Sequence, residues 1–124
     1  MVMKSHVVNA TEWTSFADRF SRSHEGWVAS LEISEPNEPP KIEVDESPFR
    51  GATIEKHDSG DTFVLTFGYE PEEHFAHIIH GPHSIVSSET DDRSQASLII
   101  ESVHGDRCTL GLINPLNEED LVAP

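Results

Sequence analysis

The apolar residues of this chain change spacing as it proceeds. Trp13, Phe16, Ala17 and Phe20 fall at i, i+3, i+4 and i+7, which places them on one face of an α-helix. Asn9 stands where a cap belongs, and Glu12 follows three residues later as its capping-box partner. Thr14, Ser15, Asp18, Arg19 and Arg22 fill the opposite side, and Gly26 supplies the left-handed residue that commonly ends a helix. The pattern predicts a helix of about three to four turns that lays one aromatic stripe on something flat.

From Trp27 the period falls to two. Trp27, Ala29, Leu31 and Ile33 alternate with Val28, Ser30 and Glu32, as in a half-buried strand. Pro36, Pro39 and Pro40 remove ladder donors, so residues 35–40 read as a surface loop. Ile42 and Val44 suggest a short extended piece. Residues 51–57 and 62–67 read as a hairpin turning at Asp58-Ser59-Gly60-Asp61, with Phe63, Leu65 and Phe67 on one face. A second hairpin is read in 96–103 and 108–113 around His104-Gly105-Asp106-Arg107, with Cys108, Leu110 and Leu112 sharing a face. Between the hairpins Ile85-Val86 reads as a strand. Residues 71–81 fit two templates: Phe75, His77 and Ile79 alternate as in a strand, while Phe75, Ile78 and Ile79 between Pro71 and Gly81 suit a short helix. The strand template is preferred.

These elements imply an α+β fold in which the N-terminal amphipathic helix packs on a curved antiparallel meander of about six strands, either a roll or a small barrel. Residues 1–8 read as a flexible N terminus, 9–113 as a single α+β domain, and 114–124 as an acidic, mobile tail. With 124 residues and 35% hydrophobic content there is material for one modest core.

Charge narrows the partners. Asp and Glu number 23 against eight Lys and Arg, a formal net charge of -15 with no basic block. Nucleic acid and anionic membrane are both held by clustered cations, so neither is expected to bind. No N-terminal apolar run resembles a signal peptide or an anchor, and the single cysteine cannot close an intrachain disulfide, so a cytoplasmic location is expected. A protein partner with a basic face is compatible with this surface. Homodimerisation is also expected, through unpaired edges on the strand after Pro82 or on the last strand.

Several short stretches together resemble a family of short bacterial proteins, domain-of-unknown-function family 5335. They are Trp13-x-x-Phe16, His24-Glu25-Gly26-Trp27, Pro48-Phe49-Arg50-Gly51, His74-Phe75-Ala76-His77-Ile78-Ile79-His80-x-Pro82 and Leu98-Ile99-Ile100-Glu101. The resemblance runs from about residue 11 to 112. It implies a stand-alone domain and carries over no activity.

The candidate chemistry is centred on histidine. His74, His77, His80 and His83 recur every third position, and imidazole is the commonest metal ligand, so His74, His77 and His80 are the candidate metal ligands. A strand weakens that reading, because positions three apart face opposite ways and His74 and His80 would lie roughly 20 Å apart. On a strand, His77 between Phe75 and Ile79 is the histidine expected to be desolvated and held neutral. Cys108 reads as an inert core residue, and Trp13, Phe16, Phe20 and Trp27 as core rather than a ligand pocket. No Gly-x-Ser-x-Gly, Gly-Lys-Ser/Thr, Gly-x-Gly-x-x-Gly or His-Glu-x-x-His motif is present, so no cofactor is implied. The function reading is a small acidic, non-enzymatic binding or interaction module, with a histidine-centred metal protein or metal-dependent enzyme as the alternative.

Overall fold

The computed structural model describes residues 3–69 and 74–115. Asn9 does cap the helical segment: its Oδ1 accepts from Thr11 N at 3.1 Å. A 3-10 turn at Ala10–Glu12 leads into α1, Trp13–His24. The stripe buries Trp13, Phe16, Ala17 and Phe20 as the spacing predicts, and the heptad position after Phe20 adds His24. Gly26, at φ 86°, ends the run, and its N–H donates to Phe49 O at 2.7 Å.

Among the described residues eight strands, one before the helix and seven after it, form a single antiparallel sheet. They are β1 (Met3–Val7), β2 (Val28–Ser34), β3 (Lys41–Glu55), β4 (Thr62–Phe67), β5 (Phe75–His80), β6 (Pro82–Thr90), β7 (Gln95–Ser102) and β8 (Arg107–Ile113). Their order is β1-β6-β7-β8-β2-β3-β4-β5. Both expected hairpins form, and of the 71–81 stretch residues 75–80 are strand rather than helix, while 71–73 lie outside the described residues.

Three expectations need correction. Residues 1–8 do not all lie outside the domain, because Met3–Val7 pairs along β6. The simple meander is broken: β5 and β6 are adjacent in the chain but not in the sheet, and β8 pairs with β2 instead. The strand after Pro82 and the last strand are both interior, so the two edges are β1 and β5. Of the expected tail, residues 116–124 lie outside the described residues.

β3 explains how one sheet bends. Up to Pro48 it pairs with β2, and from Phe49 onward it pairs with β4. Pro48 sits at the exchange, where a missing N–H costs little. Beyond it β3 loses β2 as a neighbour, and α1 takes over that edge. The Ser21 hydroxyl accepts from Ala52 N at 2.8 Å and lies 2.9 Å from Ala52 O and 2.7 Å from Ala17 O, so one side chain meets both main-chain groups of Ala52.

The core fills the space between α1 and the sheet face carrying Leu31, Phe49, Phe63, Leu65, Phe67, Ile85, Leu98, Ile100 and Leu110, all fully buried. Phe49 stands edge-on to Phe20 and Phe67, with ring centroids at 5.6 and 6.1 Å. His24 is buried at the end of the stripe, its ring 4.2 Å from Phe20 and 4.6 Å from Trp27. Its Nδ1 faces Phe20 O at 2.9 Å and its Nε2 faces Glu89 Oε1 at 2.8 Å, which ties α1 to β6. The helix therefore packs on an open antiparallel sheet whose two edge strands are β1 and β5. No helix among the described residues is long and apolar enough to cross a membrane.

Candidate functional site

Alternation along β5 turns His77 and Ile79 toward the core face, where Ile79 is buried and His77 half-buried. On β8 the same alternation turns Cys108 inward with Leu110 and Leu112. The two strands stand four steps apart in the sheet, roughly 19 Å if it were flat. Curvature brings them together instead: Cys108 Sγ lies 3.6 Å from His77 Nε2. A thiol can donate weakly to a neutral imidazole nitrogen across that distance.

Around the pair opens a cavity of about 440 Å³. Ile33, Ile78 and Ile79 give it apolar walls, while Glu43, Asp106 and His104 are among its polar lining. The far rim is built by the turn between β7 and β8, where the Ser102 hydroxyl accepts from His104 N at 3.1 Å and Asp106 N at 3.3 Å. Gly105 lies there at φ 96°, so close to the Pro36 ring that an added Cβ would sit 3.0 Å from Pro36 Cγ. Pro36 thus seats the proline loop against this turn.

The electrostatics of the pair oppose nucleophilic catalysis. Burial pushes the Cys108 thiol up to about 12, reinforced by the nearby carboxylates of Asp106 and Glu43. Burial also lowers the His77 pKa below its ordinary value, against the opposing pull of Glu43 and Asp106. Moving the thiol proton onto the imidazole is therefore strongly uphill, since the thiol is held above its ordinary pKa and the imidazole below. A reactive thiolate needs the reverse arrangement, a cationic neighbour and access to solvent. The site holds a neutral thiol and a neutral imidazole beneath a rim of carboxylates.

Of the candidate metal ligands, His77 and His80 border this cavity and His74 does not. Among the described residues, no group of three or more His, Cys, Asp or Glu side chains is placed to hold a metal ion. The strand geometry accounts for this: His77 and His80 border the cavity but leave β5 on opposite sides and do not converge, and His74 precedes the strand. Sequence reading found His77 and the inward face of Cys108 but not their meeting. Glu43, His104 and Asp106 carried no local signal, because they arrive from strands and turns that only the curved sheet brings together.

No curated protein and no solved structure matches the chain. The model of a family described as of unknown function, DUF5335, matches residues 4–121, nearly the whole length, and the chain belongs to that family.

Proposed function

We propose that the protein is a small, non-enzymatic binding module and that the cavity over His77 and Cys108 receives a cationic group from its partner. The observation that carries this reading is the cavity itself, which combines apolar walls, a thiol and an imidazole held neutral, and the carboxylates of Glu43 and Asp106. A Lys or Arg side chain on the basic face of a protein partner matches that lining, and a net charge of -15 steers such a partner toward it. In this reading the wrapped sheet is a roll and the cavity is its mouth. A cytoplasmic setting suits Cys108, which is buried and has no disulfide partner.

The test is capture from a lysate of the source cell on the immobilised protein and on Glu43→Gln/Asp106→Asn. The reading requires one basic protein, enriched at low salt, lost at high salt and weakened by the double variant. Equal recovery on both surfaces would remove the cavity from the interaction.

A homodimer formed along β5 is supported by a separate observation. This edge strand contains no Lys, Asp, Glu or Pro, and it exposes 40% of Phe75 and 50% of Ile78. Antiparallel pairing of two β5 strands would satisfy the open ladder without placing like charges opposite one another. Sedimentation should show a dimer in the micromolar range that Ile78→Lys dissociates. A native chain that stays at 13.8 kDa throughout would reject the pairing.

A further inference from the structure

A second opening lies near the other edge of the sheet, where α1 crosses β1 and β6. It measures about 240 Å³ and is bordered by Lys4 from β1, Arg19 from α1 and Ser87 and Glu89 from β6, with Phe16 and Phe20 beside them. Its charge runs against the rest of the molecule. Of eight Lys and Arg in the chain, two border this one space.

Arg19 makes no ion pair among the described residues, although acids outnumber bases 23 to eight. Lys4 reaches Asp91 at 3.6 Å, but both side chains are largely exposed and such a contact holds the ammonium only loosely. The one carboxylate on the rim, Glu89, is already engaged: Oε1 lies 2.8 Å from His24 Nε2 and Oε2 lies 3.9 Å from Arg93 Nη1. It therefore leaves the guanidinium of Arg19 without a carboxylate partner among the described residues.

Ser87 is the independent sign of a ligand. The residue is only 8% exposed, and its hydroxyl has no hydrogen-bond partner among the described residues. Yet no buried side-chain nitrogen or oxygen among them is left without a partner, so this hydroxyl is open to the cavity rather than sealed in the core. Register agrees. Ser87 stands opposite His6 and two residues before Glu89, on the sheet face that meets α1.

We propose that this opening binds a small ligand through an oxyanion, a carboxylate or a phosphate group. Arg19 and Lys4 supply the opposing charge, the Ser87 hydroxyl donates one hydrogen bond, and the phenyl rings of Phe16 and Phe20 wall the less polar part of the ligand. Arg suits such a group because its planar fork matches two oxygens at once.

The experiment is a titration of the native chain at low ionic strength with benzoate and, separately, with inorganic phosphate, read by amide and Arg Nε chemical shifts. Saturable shifts at Lys4, Ser87 and Arg19 are expected with at least one probe, and the stronger probe identifies the oxyanion. Arg19→Gln should weaken binding about tenfold or more, as loss of a hydrogen bond to a charged group does, and Ser87→Ala by a smaller factor. Arg50→Gln, an exposed arginine outside the opening, is the control for bulk charge and should leave the affinity unchanged. Shifts that never saturate with either probe, or equal losses in Arg19→Gln and Arg50→Gln, would overturn the proposal. Arg19 is exposed, so its replacement leaves the fold in place for the comparison.

Discussion

Ser21→Ala tests how α1 completes the sheet. In the native protein the Ser21 hydroxyl accepts from Ala52 N and lies within hydrogen-bond distance of Ala52 O, on the stretch of β3 that β2 no longer covers. Ala52 is only 5% exposed, so water is a poor substitute. An unsatisfied buried main-chain group costs about 1–3 kcal/mol; two groups at the lower end of that range give a loss of about 2 kcal/mol. The better helix propensity of alanine returns about 0.5 kcal/mol, which leaves a net loss of about 1.5 kcal/mol. Urea unfolding followed by the fluorescence of Trp13 and Trp27 measures the difference, and hydrogen exchange at the Ala52 amide locates it. Ser21→Thr keeps the hydroxyl and should stay closer to the native protein. If Ser21→Ala loses less than about 0.5 kcal/mol, or the Ala52 amide remains as protected as before, α1 is not serving as the missing neighbour of β3.

Three further outcomes are expected. With its thiol pushed up to about 12, Cys108 in the folded protein should react with a disulfide reagent at pH 8 at least about 30-fold more slowly than in the unfolded chain; comparable rates would contradict its burial. His77 has a folded-state pKa below its unfolded value, so its neutral form is favoured in the fold. Stability tied to it is complete above pH 6.5 and is lost as the pH falls below that value. Thermal unfolding from pH 8 to pH 5 should show this loss in the native chain and less of it in His77→Gln; equal losses in both would place the titration elsewhere. Gly81→Ala should destabilise on two counts: Gly81 has φ 63°, which costs an L residue roughly 1–2 kcal/mol, and the new Cβ would lie 2.8 Å from Val103 Cγ2. Adding Val103→Ala should recover the crowding and leave the backbone cost, as read by urea midpoints.

Helix α1 and the two hairpins were legible because each buries one face completely and writes that face as a period. β1 wrote none. All five of its residues are exposed, and it is held by main-chain pairing with β6 and by the Ser5–Ser88 hydroxyl contact at 2.6 Å. β6 was recognised only at Ile85-Val86, because the buried positions after them are Ser87, Ser88 and Thr90, which do not read as core. Ile42 and Val44 on one side and residues 51–57 on the other read as separate pieces, whereas β3 runs through both and exchanges one neighbour for another at Pro48. Local alternation did place His77 and Cys108 on inward faces. The distance between them depends on curvature accumulated across β2, β3 and β4, and no short stretch of sequence encodes that sum. The opening at Arg19 was hidden for the same reason, since β1 and β6 come to it from residues more than eighty apart in register.

The strand order also determines when the chain can begin to fold. β2 pairs with β8, aligning Val28 with Ile113, and β1 aligns Met3 with Thr90. During synthesis the N-terminal helix and β2 leave the ribosome long before the partners that complete their side of the sheet. Until β6 to β8 have been made, the Trp13, Phe16 and Phe20 stripe has only the β2 to β5 half against which to shelter. Closing loops of this length before any contact rewards them slows folding into the millisecond-to-second range typical of chains dominated by non-local pairing. The aromatic stripe should therefore be a transient target for chaperones that recognise exposed apolar helices.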